Sequence, residues 1–426
     1  MKIQKILKRL LQLHPKSEPS TLNRIKRLLK DLNSPENKIS NLIQVVGTNG
    51  KHSFCVTLRE IIEKAGYKCN LNISPSLRKF NERYYFSGKY ISDEDLHDLL
   101  IEVEKINGGQ SISFHEIITA AWILHASRNK SDVNIMEAGA LFRLDSSNVF
   151  QKNICSVVMP IGIDHRDFLK KGTINEITYE KCSHLLSGSK IFVSEQKDDV
   201  LEKIKKNITN NSSEKFIFGE DYEYKKNTNG FVYEDKLGKV NLPFPNLLGD
   251  FQISNTSTAI AAARNLDQFK ITESHIKEAI TQVRSEGRLQ SITEGILRKY
   301  VSKNNQIIID GAHNPLAASA LKKYLETLNK ERKIFMVLAM MSNKEHKEFI
   351  QILKNKVHSI IALDIPNQIN FIKKEKLSKI AQACGVPSKT ESSIEKALKN
   401  IARENENAII LCTGSLYFCA EILNLN

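Results

Sequence analysis

The chain has 426 residues, enough for roughly two to three domains of about 150 residues each. Hydrophobic residues make up 41% and charged residues 26%, an ordinary globular mix that excludes a disordered chain. The net charge of +14 comes from basic residues spread widely, without an RNP, zinc-finger or Arg-rich segment, so nucleic acid is not the expected partner and part of the excess suits a small polyanion such as a nucleoside triphosphate.

In chain order, the first residues, MKIQKILKRLLQL, set Lys and Arg among Leu and Ile at helical spacing and lack the apolar stretch and cleavage site of a secretory signal. No apolar run approaches the roughly 18 residues of a membrane span. The seven cysteines form no CxxC pair, which argues against a disulfide framework or a zinc site and for a reduced, cytoplasmic protein. Short β-branched runs at Leu42–Val46, Val133–Glu137, Cys155–Pro160 and Lys190–Ser194 predict strands of a largely parallel sheet, with helices such as Ser53–Ala65 and Glu116–Ser127 between them. Lys215–Leu242 alternates Phe, Tyr and Val around Asn229-Gly230 and predicts an antiparallel hairpin region; an alanine-rich helix follows at Ser254–Asn265. The lone Trp122 is expected in the core.

From about Ile292 the alternation starts afresh, with strands expected at Ile307–Asp310, Ile334–Leu338, Ser359–Leu363 and Ala408–Cys412. A boundary near Arg284–Glu294 divides the chain into 1–286 and 287–426. The fold class is α/β, with ligands expected beyond the carboxyl ends of parallel strands or between the domains.

The strongest local signal is Val45-Val46-Gly47-Thr48-Asn49-Gly50-Lys51-His52-Ser53, which leaves a predicted strand and enters a predicted helix. Backbone N–H groups at such a turn can point at phosphate oxygens, Lys51 can reach the terminal phosphates, and a nearby hydroxyl can ligate Mg²⁺. The strict phosphate-loop pattern is broken: Val45 occupies its first glycine position, His52 its hydroxyl position, and Ser53 comes one residue late. Downstream, Glu137, Asp164 with His165, and Asp310 each close or follow a predicted strand, where carboxylates and imidazoles stand over a ligand crevice. Composition alone reads Lys181 as an exposed helix lysine.

Taken in order, these segments resemble the folylpolyglutamate synthase/dihydrofolate synthase family of Mur-type ATP-dependent amide ligases. Gly47-Thr48-Asn49-Gly50-Lys51, one residue, then Ser53 is similar to that family's phosphate loop. Ser74-Pro75-Ser76-Leu77 with Phe80-Asn81-Glu82-Arg83 resembles its SPHL…FNER segment, and Ile91-Ser92-Asp93-Glu94 its ISDEE helix start. Phe114-His115-Glu116, Glu137 with Arg143-Leu144-Asp145-Ser146-Ser147-Asn148, Gly162-Ile163-Asp164-His165 and Glu180-Lys181 follow on. Gly249-Asp250-Phe251-Gln252 with Asn255, Gly287-Arg288-Leu289, Asp310-Gly311-Ala312-His313-Asn314-Pro315 and Gly414-Ser415-Leu416-Tyr417 complete the series. Leu22-Asn23-Arg24-Ile25 resembles, less sharply, the segment that borders the pterin pocket.

The resemblance implies a Mur-ligase-like central ATP-binding domain with a mostly parallel sheet and a smaller Rossmann-like C-terminal α/β domain. It implies ATP-dependent addition of L-glutamate to dihydropteroate, to folates, or to both, through an acyl phosphate, by a cytoplasmic monomer. Gly47, Thr48, Asn49, Gly50 and Lys51 would hold phosphates, with Ser53 on the metal–phosphate side. Asn255, Arg288 and Asp310 would contact the nucleotide. Ser74, Glu137 and His165 would ligate Mg²⁺, with a second Mg²⁺ and a monovalent cation in prospect. Lys181 matches a lysine that is carbamylated in the superfamily, and His313 would lie near the reacting groups; Lys51, Lys181, His313 and Arg288 are the expected catalytic set. Four departures from the family stand out: His52, Ser76, Phe251, and the segment Ala140-Leu141-Phe142, the last of which adds bulk where backbone is expected to pass close to ligand. Another Mur-type amino-acid ligase, or a degenerate nucleotide-binding protein without ligase activity, are the alternatives.

Overall fold

The apolar run Leu42–Val46 (β1) lacks the polar alternation of a strand with one wet face, and all five of its residues are buried. Its one polar side chain, Gln44, has both ends of its amide bonded, donating to Ser147 O at 2.8 Å and accepting from Asn153 at 2.9 Å. The computed structural model describes residues 2–13 and 21–426. The chain folds as two units: Met1–Ile161, Phe168–Asn246 and Ser254–Val283 form the first, and Gly162–Asp167, Leu247–Ile253 and Arg284–Asn426 the second.

Among the described residues, the first unit holds a sheet of eight strands. After β1 come β2 (Cys69–Asn72), β3 (Tyr84–Phe86), β4 (Lys89–Tyr90), β5 (Val133–Glu137), β6 (Cys155–Val158), β7 (Lys190–Val193) and β8 (Glu214–Ile217). Their spatial order is β4-β3-β2-β5-β1-β6-β7-β8, parallel except for the β2–β3 and β3–β4 pairs at one edge. The register sets Val45 beside Glu137 and Asn72 beside Met136. The carboxyl ends of β2, β5, β1 and β6 therefore deliver Ser74, Glu137, Gly47 and Pro160 to one edge of the sheet.

Trp122 is fully buried in the core formed by the helices Lys2–Leu13, Asn23–Asp31, Asp93–Asn107 and Phe114–Arg128. The last begins two residues before the sequence expectation, because Ser113 and Glu116 form a reciprocal capping box. The helix expected from Ser53 begins at Lys51, directly after Gly50, and the one expected from Ser254 spans Asp250–Arg264.

The expected hairpin region Lys215–Leu242 is corrected at its start. Lys215 lies in β8, which pairs in parallel with β7, because Phe216 stacks on Phe192 at 4.7 Å and extends the main sheet. The antiparallel part is a separate three-stranded sheet of β9 (Tyr222–Lys226), β10 (Gly230–Asp235) and β11 (Gly238–Pro243), in the order β11-β10-β9.

In the second unit, β12 (Gln290–Ile292), β13 (Gln306–Asp310), β14 (Ile334–Leu338), β15 (Ser359–Ala362), β16 (Ser388–Thr390) and β17 (Ile409–Thr413) form a sheet in the order β12-β13-β17-β14-β15-β16. Only β12 runs antiparallel to its neighbour. The four apolar runs read from sequence occupy its centre. The edges β12 and β16 escaped notice because they are three residues long and largely polar, as edge strands tend to be. All seven cysteines are free and buried. Among the described residues, no helix is long and apolar enough to cross a membrane.

Candidate active-site residues

The loop after β1 is shaped by two glycines. Gly47 has φ +147°, and a Cβ there would lie 2.7 Å from Met159 Cβ, so only glycine lets the loop pass over β6. Gly50 has φ +80° at the N-cap of helix Lys51–Lys64, with the Asn255 side chain packed against its open side. The backbone N–H groups of Thr48 and Asn49 both donate to Pro160 O, at 2.9 and 3.1 Å. The carbonyl of Pro160 thus accepts from two neighbouring loop amides and fixes the loop. The donors of the first helical turn from Lys51 emerge at the helix N-terminus, where the helix dipole favours an anion.

Two ammonium groups converge on one carbonyl of this loop. Lys51 Nζ donates to Gly47 O at 3.2 Å and to Thr48 O at 3.4 Å, and lies 3.8 Å from Glu137 Oε1. Lys181 Nζ donates to Gly47 O at 2.9 Å and to Ala140 O at 2.6 Å. Composition alone placed Lys181 on an exposed helix face; it is 2% exposed, because helix Ile174–Cys182 packs that face under the loop and the two carbonyls satisfy the ammonium. Glu137 is buried and accepts the Ser74 N–H at 3.2 Å. Arg83 in turn donates to the hydroxyls of Ser74 and Ser76 at 3.4 and 3.3 Å. Ser53 is buried in the first turn of helix Lys51–Lys64. The first unit thus brings together Gly47, Lys51, Ser74, Glu137, Lys181 and Asn255.

Three of the family departures have physical explanations. His52 lies in the first turn of a right-handed helix, and the left-handed φ values of this loop fall on Gly47 and Gly50, so position 52 needs no glycine. Ser76 is used as an acceptor for Arg83. Phe142, expected to crowd the ligand side, is fully buried, while Phe142 N and Arg143 N donate to Glu180 O at 3.2 and 2.8 Å. Its bulk fills core, and the chain around it is clamped to helix Ile174–Cys182. Nearby, Asp145 accepts two hydrogen bonds from Ser147 and lies 3.7 Å from His115 Nε2. Burial alone would raise this carboxyl, but His115 and Ser147 hold it below its ordinary range. Arg24, in the segment Leu22–Ile25, donates to Glu116 at 3.0 Å.

In the second unit, Asp310 closes β13 and accepts the N–H groups of Leu289 and Ala312 at 2.9 and 2.8 Å. Burial pushes its carboxyl above the ordinary range against the opposing charge of Arg288. Gly311 leaves room for that guanidinium, since a Cβ there would lie 2.7 Å from Arg288 Nη1. His313 Nδ1 must donate to Gly311 O at 2.8 Å, because a carbonyl can only accept, and its Nε2 lies 3.3 Å from Asp164 Oδ2. Asp164 also accepts from Lys344 at 2.6 Å and from Asn314 at 2.9 Å. Burial opposes its ionisation, but His313, His165 and Lys344 hold it well below the ordinary carboxylate range. His165 follows with φ +54°.

Sequence reasoning noticed Asp164 without assigning it a role and missed Lys344. The only available signal for Lys344 was its place shortly after the carboxyl end of β14. The donor chemistry of the first-unit cluster fits a nucleotide with Mg²⁺. Hard-oxygen donors are few, as suits an ion that takes its remaining ligands from phosphate and water, and the loop carries net positive charge for phosphate. Among the described residues, no group of three or more His, Cys, Asp or Glu could itself hold a metal.

Residues 45–263 match the model of the Mur ligase middle domain, and residues 292–425 that of the dihydrofolate synthetase C-terminal domain. The chain is 30% identical over 411 residues to the dihydrofolate synthase/folylpolyglutamate synthase of Buchnera aphidicola (subsp. Acyrthosiphon pisum), covering 95% of this chain and 93% of that protein. Its fold matches E. coli FolC in complex with DHPP and ADP, with TM-score 0.88 at 24% identity, covering 99% of this chain and 97% of that one. It also matches a bifunctional folylpolyglutamate synthase/dihydrofolate synthase with Mn, AMPPNP and L-glutamate bound, with TM-score 0.86 at 22% identity over 99% and 97% of the two chains. The chain belongs to the dihydrofolate synthase/folylpolyglutamate synthase family of Mur ligases and is an ATP-dependent amide ligase of that type.

Proposed function

We propose that this chain joins L-glutamate to dihydropteroate, to a (tetrahydro)folate, or to both, with release of ADP and phosphate. On this reading residues 1–286 carry the nucleotide-handling part of the enzyme and residues 287–426 the Rossmann-like glutamate-ligase part. The observation that carries the proposal is the convergence of Lys51 and Lys181 on Gly47 O, beside Glu137, at the carboxyl ends of neighbouring parallel strands.

A carboxylate is a poor electrophile until one of its oxygens becomes a leaving group. Transfer of the terminal phosphoryl group of ATP makes the acyl phosphate, and the amine of L-glutamate then attacks the acyl carbon and expels phosphate. Such chemistry rests on positioning and on neutralising charge around the phosphoryl oxygens. Lys51 and the loop and helix-start amides hold the terminal phosphates, and Asn255, packed against Gly50, contacts the nucleotide. Arg288 neutralises phosphate charge, Asp310 orients the nucleotide, and His313 stands at the reacting groups. Ser74, Glu137 and His165 are the residues that would hold Mg²⁺, with Ser53 on the same side; the ion, when bound, supplies further neutralisation of phosphate charge. Lys181, as a carbamate, would add an anionic ligand for a second ion. Its partners are small molecules, with neither nucleic acid nor membrane involved, and it acts as a cytoplasmic monomer.

The test is turnover of ATP by the purified protein with Mg²⁺ and L-glutamate, on dihydropteroate and on tetrahydrofolate separately, with products read by mass. A glutamyl adduct on either acceptor supports the proposal. ATP binding with no product on both overturns it, and an adduct with another amino acid alone reassigns the substrate.

A further inference from the structure

Three consecutive residues after β14 pair with the segment that carries Asp164. Asn343 donates to Asp167 at 2.8 Å, Lys344 to Asp164 at 2.6 Å, and Glu345 accepts from Arg166 at 2.9 Å. The Arg166–Glu345 pair is exposed, its side chains 50% and 36% accessible, and such pairs contribute little. The Lys344 pair differs: its side chains are 10% and 5% accessible, so water and salt screen it weakly. Burying two charges costs desolvation that a well-packed apolar pair would avoid, so stability alone does not account for it.

What the pair does is visible at its far side. Asp164 Oδ1 accepts from Lys344 Nζ and from the backbone N–H of His165; Oδ2 accepts from Asn314 and faces His313 Nε2. The Asn314 amide cannot turn, because its Oδ1 caps helix Pro315–Thr327 through Ala317 N at 2.9 Å. His313 is therefore held at both ring nitrogens, by Gly311 O and by Asp164, and Lys344 supplies the charge that keeps Asp164 in place.

We infer that Lys344 is a positioning residue for the ligase reaction, acting through Asp164 to fix the imidazole of His313. The inference rests on the proposed placement of His313 at the reacting groups. Loss of the ammonium takes the charged donor from Oδ1 and leaves it the His165 N–H, which loosens the carboxylate and releases the Nε2 edge of His313 by a fraction of an ångström to an ångström, a misplacement on the order of 100-fold in rate.

The experiment is steady-state kinetics of the full chain, on whichever acceptor the wild type uses, for Lys344→Met, Lys344→Arg, Asp164→Asn and the double variant Asp164→Asn/Lys344→Met. Lys344→Met is expected to lower kcat about 100-fold, with KM for ATP and calorimetric ADP binding nearly unchanged, and Lys344→Arg to recover most of the loss. The double variant should be no worse than the poorer single one, since both changes break one unit. An unimpaired Lys344→Met, an equal loss in Lys344→Arg, a loss confined to KM for ATP, or additive losses in the double variant each overturn the inference. If Lys344→Met fails to fold, Lys344→Gln takes its place with the same readings. Wild-type inactivity on both acceptors overturns the ligase reading, whereas an active wild type with an unimpaired Lys344 variant overturns only this inference.

Discussion

The buried ammonium of Lys181 donates a 2.9 Å hydrogen bond to the carbonyl of Gly47, a residue 134 positions earlier in the chain. Its second bond, to Ala140 O, ties the glycine-containing loop after β1 to the loop after β5. One side chain thus bonds to both loops, beside the Ala138 N–H to Val45 O bond that already joins their strands.

Lys181→Ala should therefore act on fold and activity together. Removing the Lys181 donor from the Ala140 carbonyl, and one of the two ammonium donors from Gly47 O, costs about 1–3 kcal/mol, read as a shifted denaturant midpoint. Turnover should be severely impaired and partly restored by a small carboxylic acid such as acetate, which substitutes for a carbamate. Unimpaired turnover, or impairment that no carboxylic acid relieves, would count against a modified Lys181.

Lys51→Ala separates the two effects. Lys51 donates to two carbonyls of its own loop and pairs with Glu137 at 3.8 Å, so the fold should survive with its unfolding midpoint nearly unchanged. Activity should fall about 10³-fold, as for removal of a charge-stabilising donor at a reacting centre. An active Lys51→Ala protein would mean that phosphates bind elsewhere.

Phe142 tests whether bulk at the position where the family has glycine belongs to core or to cleft. Being fully buried, it should behave as a core residue, and Phe142→Ala should cost about 3–5 kcal/mol in denaturant titrations. At a temperature where the variant remains folded, KM for both substrates should stay close to wild type. A gain in affinity would place the ring on the ligand side.

The acid limb of stability gives an independent check on Asp145. Burial would raise this carboxyl, but His115 and the hydrogen bonds from Ser147 outweigh it and hold it below its unfolded value. The native state then binds this proton less tightly than the unfolded chain does. The stabilisation is fully present above the unfolded value of about 3.9, and is lost as pH falls through it towards the folded pKa. Asp145→Asn lacks this dependence. The difference in thermal midpoint between wild type and variant should shrink from pH 5 towards pH ~2.5; a constant difference would show that Asp145 is not held ionised.

By itself the sequence determined β1, its glycine turn and the helix that follows, because a β-branched run, two glycines and a helix start are local signals that the backbone obeys wherever it lies. It also located Glu137 and Asp310, since strand ends are readable from short apolar runs, and the ordered motifs identified the family. Tertiary structure decided the burial of Lys181, the inward turn of Phe142, the capture of the Thr48 and Asn49 amides by Pro160, and the grip of Lys344 on Asp164 across 180 residues. Each of these is a meeting of residues distant in the chain. A lone lysine or phenylalanine carries no mark of the partner that packing will give it, so its role is set by which strand ends and helix faces the topology makes neighbours.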